Sequence, residues 1–306
     1  MSRYRNILET IGQTPLVRVE QFERAYQLDN QVYLKLESFN PGNNVKVRPS
    51  FQMIKALYDN GQMTKDSIIV EATSGNTGIG LALVGAYYKN KVIIVMPEKV
   101  SKERIDIIKH YGAEVILTDP SLGIEGSKQK ALELAKNPLV VIPSQFENPN
   151  NPLAHYQQTA VELYQDLPSI DYIFVGVGTG GTITGLGRYI DEHHLDTLLI
   201  AVEPEESQVL KGDQPREHGI AGISPGFIPK NYCSGVVDDI EAVSTVNARK
   251  MTKEFVPLEA ISIGISSGAT IQAMLQYIKK HQIKGKTMVC ICPDSGDKYF
   301  STKVFD

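Results

Sequence analysis

The 306-residue chain contains no apolar run of the roughly 18–20 residues that a membrane span needs. Basic residues are not in excess. The net charge is −4, so little is available to neutralise the phosphates of a nucleic acid. Cysteine is scarce: the three present, Cys233, Cys290 and Cys292, are an odd number that suits a reducing compartment rather than a disulfide framework. Cys290 and Cys292 alternate within an apolar run, as core residues of a buried strand do, and no metal-ligand partners stand nearby. Behind the charges of Met1–Asn6 there is no apolar signal core, so a cytoplasmic location is expected. Repeats, low-complexity tracts and charge runs are also absent. What is there, 42% hydrophobic and 22% charged residues, is ordinary for a globular protein long enough for two domains sharing a cleft.

Strand-like apolar runs alternate with helix-like runs along most of the length. Strands are predicted at Ser67–Val70, Lys91–Met96, Glu114–Leu117, Leu139–Ile142, Asp171–Val175, Thr197–Val202 and Thr287–Cys292. Helices are predicted from Asn76 to near Lys89, from a Ser101 cap to near Tyr111, from Gly123 to Ala135, and from the turn after Val175 to near Glu192. Strands that are apolar throughout and separated by helices are parallel strands covered on both faces. Ligands bind such sheets beyond the carboxyl ends of the strands. Residues 203–245 are less regular and are expected to form a partly mobile segment near the cleft.

Three glycine-rich turns each follow an apolar run and open a helix. Free backbone N–H groups and the helix dipole make such turns suited to anions. The turn Thr73–Gly78 carries Thr73, Ser74, Asn76 and Thr77, more polar side chains than a helix cap needs, and suits a carboxylate. Asn76 offers both a donor and an acceptor to a phenolic oxygen on a bound ring. The turn Gly176–Thr182 contains G-x-G-x-x-G at Gly176, Gly178 and Gly181, and Glu203 ends the next strand, as in a dinucleotide site. Thr179 and Thr182 suit a single phosphate equally well, and a plain structural turn is the third reading. In Gly264–Gly268, Ser267 is either a plain helix cap or part of a third anion-holding turn. Lys46 follows Asn40-Pro41-Gly42-Asn43-Asn44-Val45; it is either a surface lysine or, if desolvated in a cleft, the residue type that forms Schiff bases. His155 reads as structural, and His193-His194 as the end of a solvated helix.

In this order, the Asn-Pro…Val-Lys segment, the Thr-Ser-Gly-Asn-Thr-Gly turn and the Gly-Thr-Gly-Gly-Thr turn resemble the cysteine synthase and cystathionine β-synthase family of fold-type II pyridoxal-phosphate enzymes. The resemblance runs from Ile11-Gly12-Gln13-Thr14-Pro15-Leu16 to Pro293–Tyr299. It implies an α/β fold like the tryptophan synthase β chain, two open twisted, mostly parallel sheets covered by helices. A smaller mobile domain would span 45–148, and a larger, phosphate-binding one 1–44 and 149–306.

The resemblance also implies roles. Lys46 is similar to the Schiff-base lysine and catalytic base. Gly178, Thr179, Gly180, Gly181 and Thr182 look like the cradle of the pyridoxal 5'-phosphate phosphate. Asn76 matches the residue beside the ring oxygen, and Ser266 the serine facing the ring nitrogen. Thr73, Ser74, Asn76, Thr77 and Gln145 match the pocket of the amino-acid substrate. A serine at the ring nitrogen does not require a protonated ring, and the weaker electron sink suits β-elimination and β-replacement. The implied reaction converts O-acetyl-L-serine and sulfide to L-cysteine and acetate; cystathionine synthesis with homocysteine, or a related reaction on cysteine, is the alternative. No metal is implied. A homodimer and a serine acetyltransferase partner are. Asn44 stands where the family carries a serine, and Ser224-Pro225 where it carries Gly-Ala; both departures bear on the second substrate.

Overall fold

The computed structural model describes residues 3–302, 304 and 305. Ten strands form two sheets: β1 (Leu16–Arg18), β2 (Gln31–Leu36), β3 (Ile68–Ala72), β4 (Lys91–Pro97), β5 (Glu114–Thr118), β6 (Val140–Val141), β7 (Tyr172–Gly176), β8 (Leu198–Pro204), β9 (Asp239–Val243) and β10 (Thr287–Cys292). The four-stranded sheet has the order β5-β4-β3-β6 and is wholly parallel. The six-stranded sheet has the order β1-β2-β10-β7-β8-β9, and only the β1–β2 pair is antiparallel. The chain is thus α/β with two mostly parallel sheets covered by helices, as the apolar strand runs require.

Each sheet is buried on both faces by its own apolar clusters. Ile69, Ile94 and Met96 pack beneath helix Asn76–Tyr88, and Val70, Val95 and Ala131 pack on the opposite face. Phe174, Cys290 and Cys292 pack with helix Ile265–His281, while Val175, Val289 and Ile291 pack with helix Gly181–Glu192. Cys290 and Cys292 are therefore inert core residues. Burial pushes the Cys290 thiol up and the Cys292 thiol to about 12.

Two features escape the sequence pattern. The segment 203–245 contains the edge strand β9. Ser101 stands at the N-cap of helix Lys102–His110, but its side chain accepts no cap hydrogen bond and its Oγ is buried without a partner.

An ion cluster fixes the start of helix Val47–Asp59. Arg48 donates to Glu37 at 2.6 and 2.8 Å and to Glu162 at 2.6 and 2.8 Å, and Lys35 reaches Glu162 at 2.9 Å. Arg48, Glu37 and Lys35 are wholly buried. Two cations and two carboxylates balance, but removing one strands a buried charge. Arg48→Ala is expected to cost about 3–5 kcal/mol of stability, read as a fall in the urea midpoint. A loss under about 1 kcal/mol would contradict the cluster's role.

Burial raises and Arg48 more than offsets it, so the Glu162 carboxyl is held down at about 2, from an ordinary 4.5. Its stabilising contribution is complete above pH 4.5 and is lost as pH falls towards about 2.

Candidate active site

Both sheets end on one cleft of about 370 Å³. The turn after β3 brings Thr73, Ser74, Asn76 and Thr77 to it, and Gln145 follows β6. The turn after β7 brings Gly178, Thr179 and Thr182, and Ser266 comes from the start of helix Ile265–His281. Gly180 and Gly181 belong to the same turn, as N-cap and first residue of helix Gly181–Glu192, but do not line the cleft. Lys46 is the one lysine among the described residues that line the cleft.

Lys46 is placed by backbone geometry. Its N–H donates to Asn44 Oδ1 at 2.8 Å, and Asn44 Nδ2 donates to the Gly42 carbonyl at 2.7 Å. The Val45 N–H donates to the Pro293 carbonyl at 2.8 Å, and Asn44 bridges to Asp294. Lys298 Nζ reaches the Asn43 carbonyl at 2.6 Å. The loop is thereby clamped to the segment leaving β10. No hydrogen bond or ion pair ends on Lys46 Nζ among the described residues. Burial holds the amine below the ordinary lysine range, against the opposing pull of Asp294 and Glu37. A lowered pKa leaves more of the amine neutral and nucleophilic.

The β7 turn presents free donors that suit an anion. The N–H groups of Gly178, Thr179, Gly180 and Thr182 meet no acceptor among the described residues. They stand at the start of helix Gly181–Glu192, where the dipole adds to their effect. A Cβ at Gly178 would meet the Gly222 carbonyl at 2.4 Å, and one at Gly181 would meet Asn151 Oδ1 at 1.9 Å. Asn151 Nδ2 donates to Thr179 Oγ1 at 3.1 Å and to the Gln145 carbonyl at 2.7 Å. Its Oδ1 is buried and unpartnered. His155 is buried behind the turn, its Nε2 3.3 Å from Thr182 Oγ1, and burial keeps the ring neutral by lowering its pKa.

These free donors and glycine-lined spaces fit the phosphate of pyridoxal phosphate. Glu203, by contrast, does not line the cleft. It is buried and accepts the Leu210 N–H at 2.8 Å, so the acid of the dinucleotide pattern is turned into its own loop.

The β3 turn has a second set of free N–H groups, those of Ser74, Asn76 and Thr77, at the start of helix Asn76–Tyr88. Thr73 Oγ1 accepts the Gly75 N–H at 3.2 Å, and Thr77 Oγ1 donates to Gln145 Oε1 at 2.5 Å. Asn76 Nδ2 donates to Asp294 Oδ2 at 2.7 Å, and Asn76 Oδ1 is buried without a partner. Ser267 is wholly buried and caps nothing; Gly264 is the N-cap, and Ser266 is the serine that reaches the cleft.

Several site residues went unrecognised in the sequence. Asp294 joins Asn76 and Tyr299, the Arg104 guanidinium lies 4.8 Å from the Tyr299 ring centroid, and His218 lines the cleft. Only Asp294 carried a signal, by following β10 at its carboxyl end.

A desolvated, unpartnered lysine amine between two helix starts with free N–H groups suits an aldehyde cofactor bearing a phosphate. Residues 7–294 match the model of the pyridoxal-phosphate dependent enzyme family, and the chain belongs to that family. It is 41% identical over 302 residues to a cysteine synthase of Staphylococcus aureus, covering 98% of this chain and 96% of that protein. It superposes on O-acetyl serine sulfhydrylase isoform 3 of Entamoeba histolytica with a TM-score of 0.93 at 40% identity, covering 99% and 92% of the two chains. It also resembles an O-ureido-L-serine synthase, with a TM-score of 0.95 at 35% identity, covering 100% and 96%.

Proposed function

We propose that the protein is a cysteine synthase of the cytoplasm, which replaces the acetate of O-acetyl-L-serine with sulfide to give L-cysteine. The observation that carries this reading is the desolvated, unpartnered amine of Lys46 between two sets of free helix-start N–H groups. The N–H groups of Gly178–Thr182 hold the cofactor phosphate, Asn76 stands at the ring oxygen, and Ser266 stands at the ring nitrogen. Thr73, Ser74, Thr77 and Gln145 hold the substrate carboxylate. Lys46 would anchor the cofactor through its amine and, when that amine is free, would take the proton from the substrate Cα and later return it. When bound, the cofactor supplies the electron sink that makes this proton removable. A hydroxyl rather than an acid at Ser266 suits loss of a leaving group from Cβ. The unit 45–148 closes over the substrate, a homodimer forms, and a serine acetyltransferase is its partner.

The second nucleophile is set where Ser224 and Pro225 line the cleft. O-acetyl-L-serine supplied with sulfide or with homocysteine, followed by mass analysis, tests the reading. Cysteine is the expected main product. Cystathionine as the main product would move the enzyme to the related synthase, and no product from either would refute β-replacement.

Thr73→Ala is expected to keep its cofactor but to lose tenfold or more in kcat/KM for O-acetyl-L-serine. One hydrogen bond to a charged group contributes about 1.5–3 kcal/mol. An unchanged kcat/KM would place the carboxylate elsewhere.

A further inference from the structure

Asp294 is 2% exposed, and its carboxylate meets two donors, Asn76 Nδ2 at 2.7 Å and the Tyr299 hydroxyl at 2.9 Å, both on Oδ2. Its backbone is equally fixed. The carbonyl accepts the Gly264 N–H at 3.0 Å, and the residue bridges to Asn44. Oδ1 is buried without a partner in the space left by Gly264, where a Cβ would stand 2.0 Å from it. Tyr299 cannot yield its proton to the carboxylate, because burial and then Asp294 itself push the phenol up.

An ionised carboxylate only accepts hydrogen bonds. Asn76 must therefore turn its amide nitrogen to Asp294, and a flipped carboxamide would set oxygen against oxygen. The orientation fixes which atoms of Asn76 stay available: Oδ1, buried without a partner, and the second N–H of Nδ2. The main chain of Pro293 and Asp294 holds the loop that carries Lys46, through the Asn44 bridge and the Val45–Pro293 bond. The other charged groups around it are Lys46, Arg104, Lys298 and, across Lys46, Glu37.

We propose that Asp294 is a positioning residue of the reaction: it fixes the hydrogen-bonding face that Asn76 turns to the cofactor ring and holds the Lys46 amine in a negative field. The inference rests on the roles proposed above for Asn76 and Lys46. Loss of the charge frees the carboxamide to flip. It also removes one of the two groups that favour the protonated amine, so Lys46 titrates at lower pH.

The test is Asp294→Asn, with cofactor content and melting temperature measured first. In cofactor-free full-length protein, Lys46 is labelled with acetic anhydride across pH and quantified by peptide mass. The expected result is a labelling curve displaced to lower pH, with labelling several-fold faster than wild type below the wild-type midpoint. In the holoenzyme, kcat should fall tenfold or more with cofactor retained. The further loss on adding Asp294→Asn to Asn76→Ala should be much smaller than the loss in wild type, because the two act in series.

A folded Asp294→Asn protein with the wild-type labelling curve and full kcat would overturn the proposal. So would full additivity with Asn76→Ala. If Asp294→Asn does not fold, Tyr299→Phe carries the test. It removes one donor and leaves the charge, so kcat should drop with the labelling curve unmoved; an unchanged kcat overturns the proposal. The labelling arm needs no substrate, so an enzyme inactive on O-acetyl-L-serine would refute the proposed function while leaving this inference testable.

Discussion

Lys46→Ala is expected to lose at least about a thousandfold in turnover while melting close to wild type. Nothing in the fold depends on the lost amine, since no hydrogen bond or ion pair ends on Nζ among the described residues. The loop that presents it is held by main-chain contacts, Lys46 N–H to Asn44 and Val45 N–H to Pro293, and these survive truncation. The reaction, in contrast, loses its anchor for the cofactor and its base together. Activity within tenfold of wild type would remove Lys46 from the mechanism. A large drop in melting temperature would mean that the side chain is structural after all.

Gly181→Asp should release the cofactor. Its Cβ would stand 1.9 Å from Asn151 Oδ1, so either Asn151 or the turn must shift. Asn151 is one link between the two sides of the cleft, through Thr179 Oγ1 and the Gln145 carbonyl. The new carboxylate would also stand at a helix start arranged for a dianion, where like charges repel. Losing about two charge-assisted bonds, roughly 3 kcal/mol, weakens binding about 100-fold. Equilibrium dialysis should show the variant emptied where wild type stays yellow. Equal retention would place the phosphate elsewhere.

The strands that bear the site were legible because Ile68–Val70 of β3, and β7 and β10, are apolar runs that lead into turns of glycine and hydroxyl residues, even though Glu71 is buried at the end of β3. β2 was not. Its Lys35 is buried to pair with Glu162, which breaks the apolar run that marks a covered strand. The Arg48 cluster joins residues far apart in sequence, and no local pattern announces such a pairing. Glu203 shows the opposite failure: its position matched a dinucleotide pattern, while its carboxylate serves the Leu210 N–H. Asn76 could be picked out from its turn, whereas the Gly264–Gly268 turn drew attention to Ser267 and Ser266 was named only through the family resemblance; both Asn76 and Ser266 line the cleft. Asp294 could be placed at the carboxyl end of β10, but its pairing with Asn76 could not, because the two are 218 residues apart and follow strands of different sheets.

Reduction of the holoprotein with borohydride, followed by digestion and peptide mass analysis, tests the assignment of Lys46 most directly. The expected result is a pyridoxyl group on one peptide, the one containing Lys46, and its absence from the Lys46→Ala protein. A pyridoxyl group on another lysine, or none on any peptide of a cofactor-loaded protein, would contradict it.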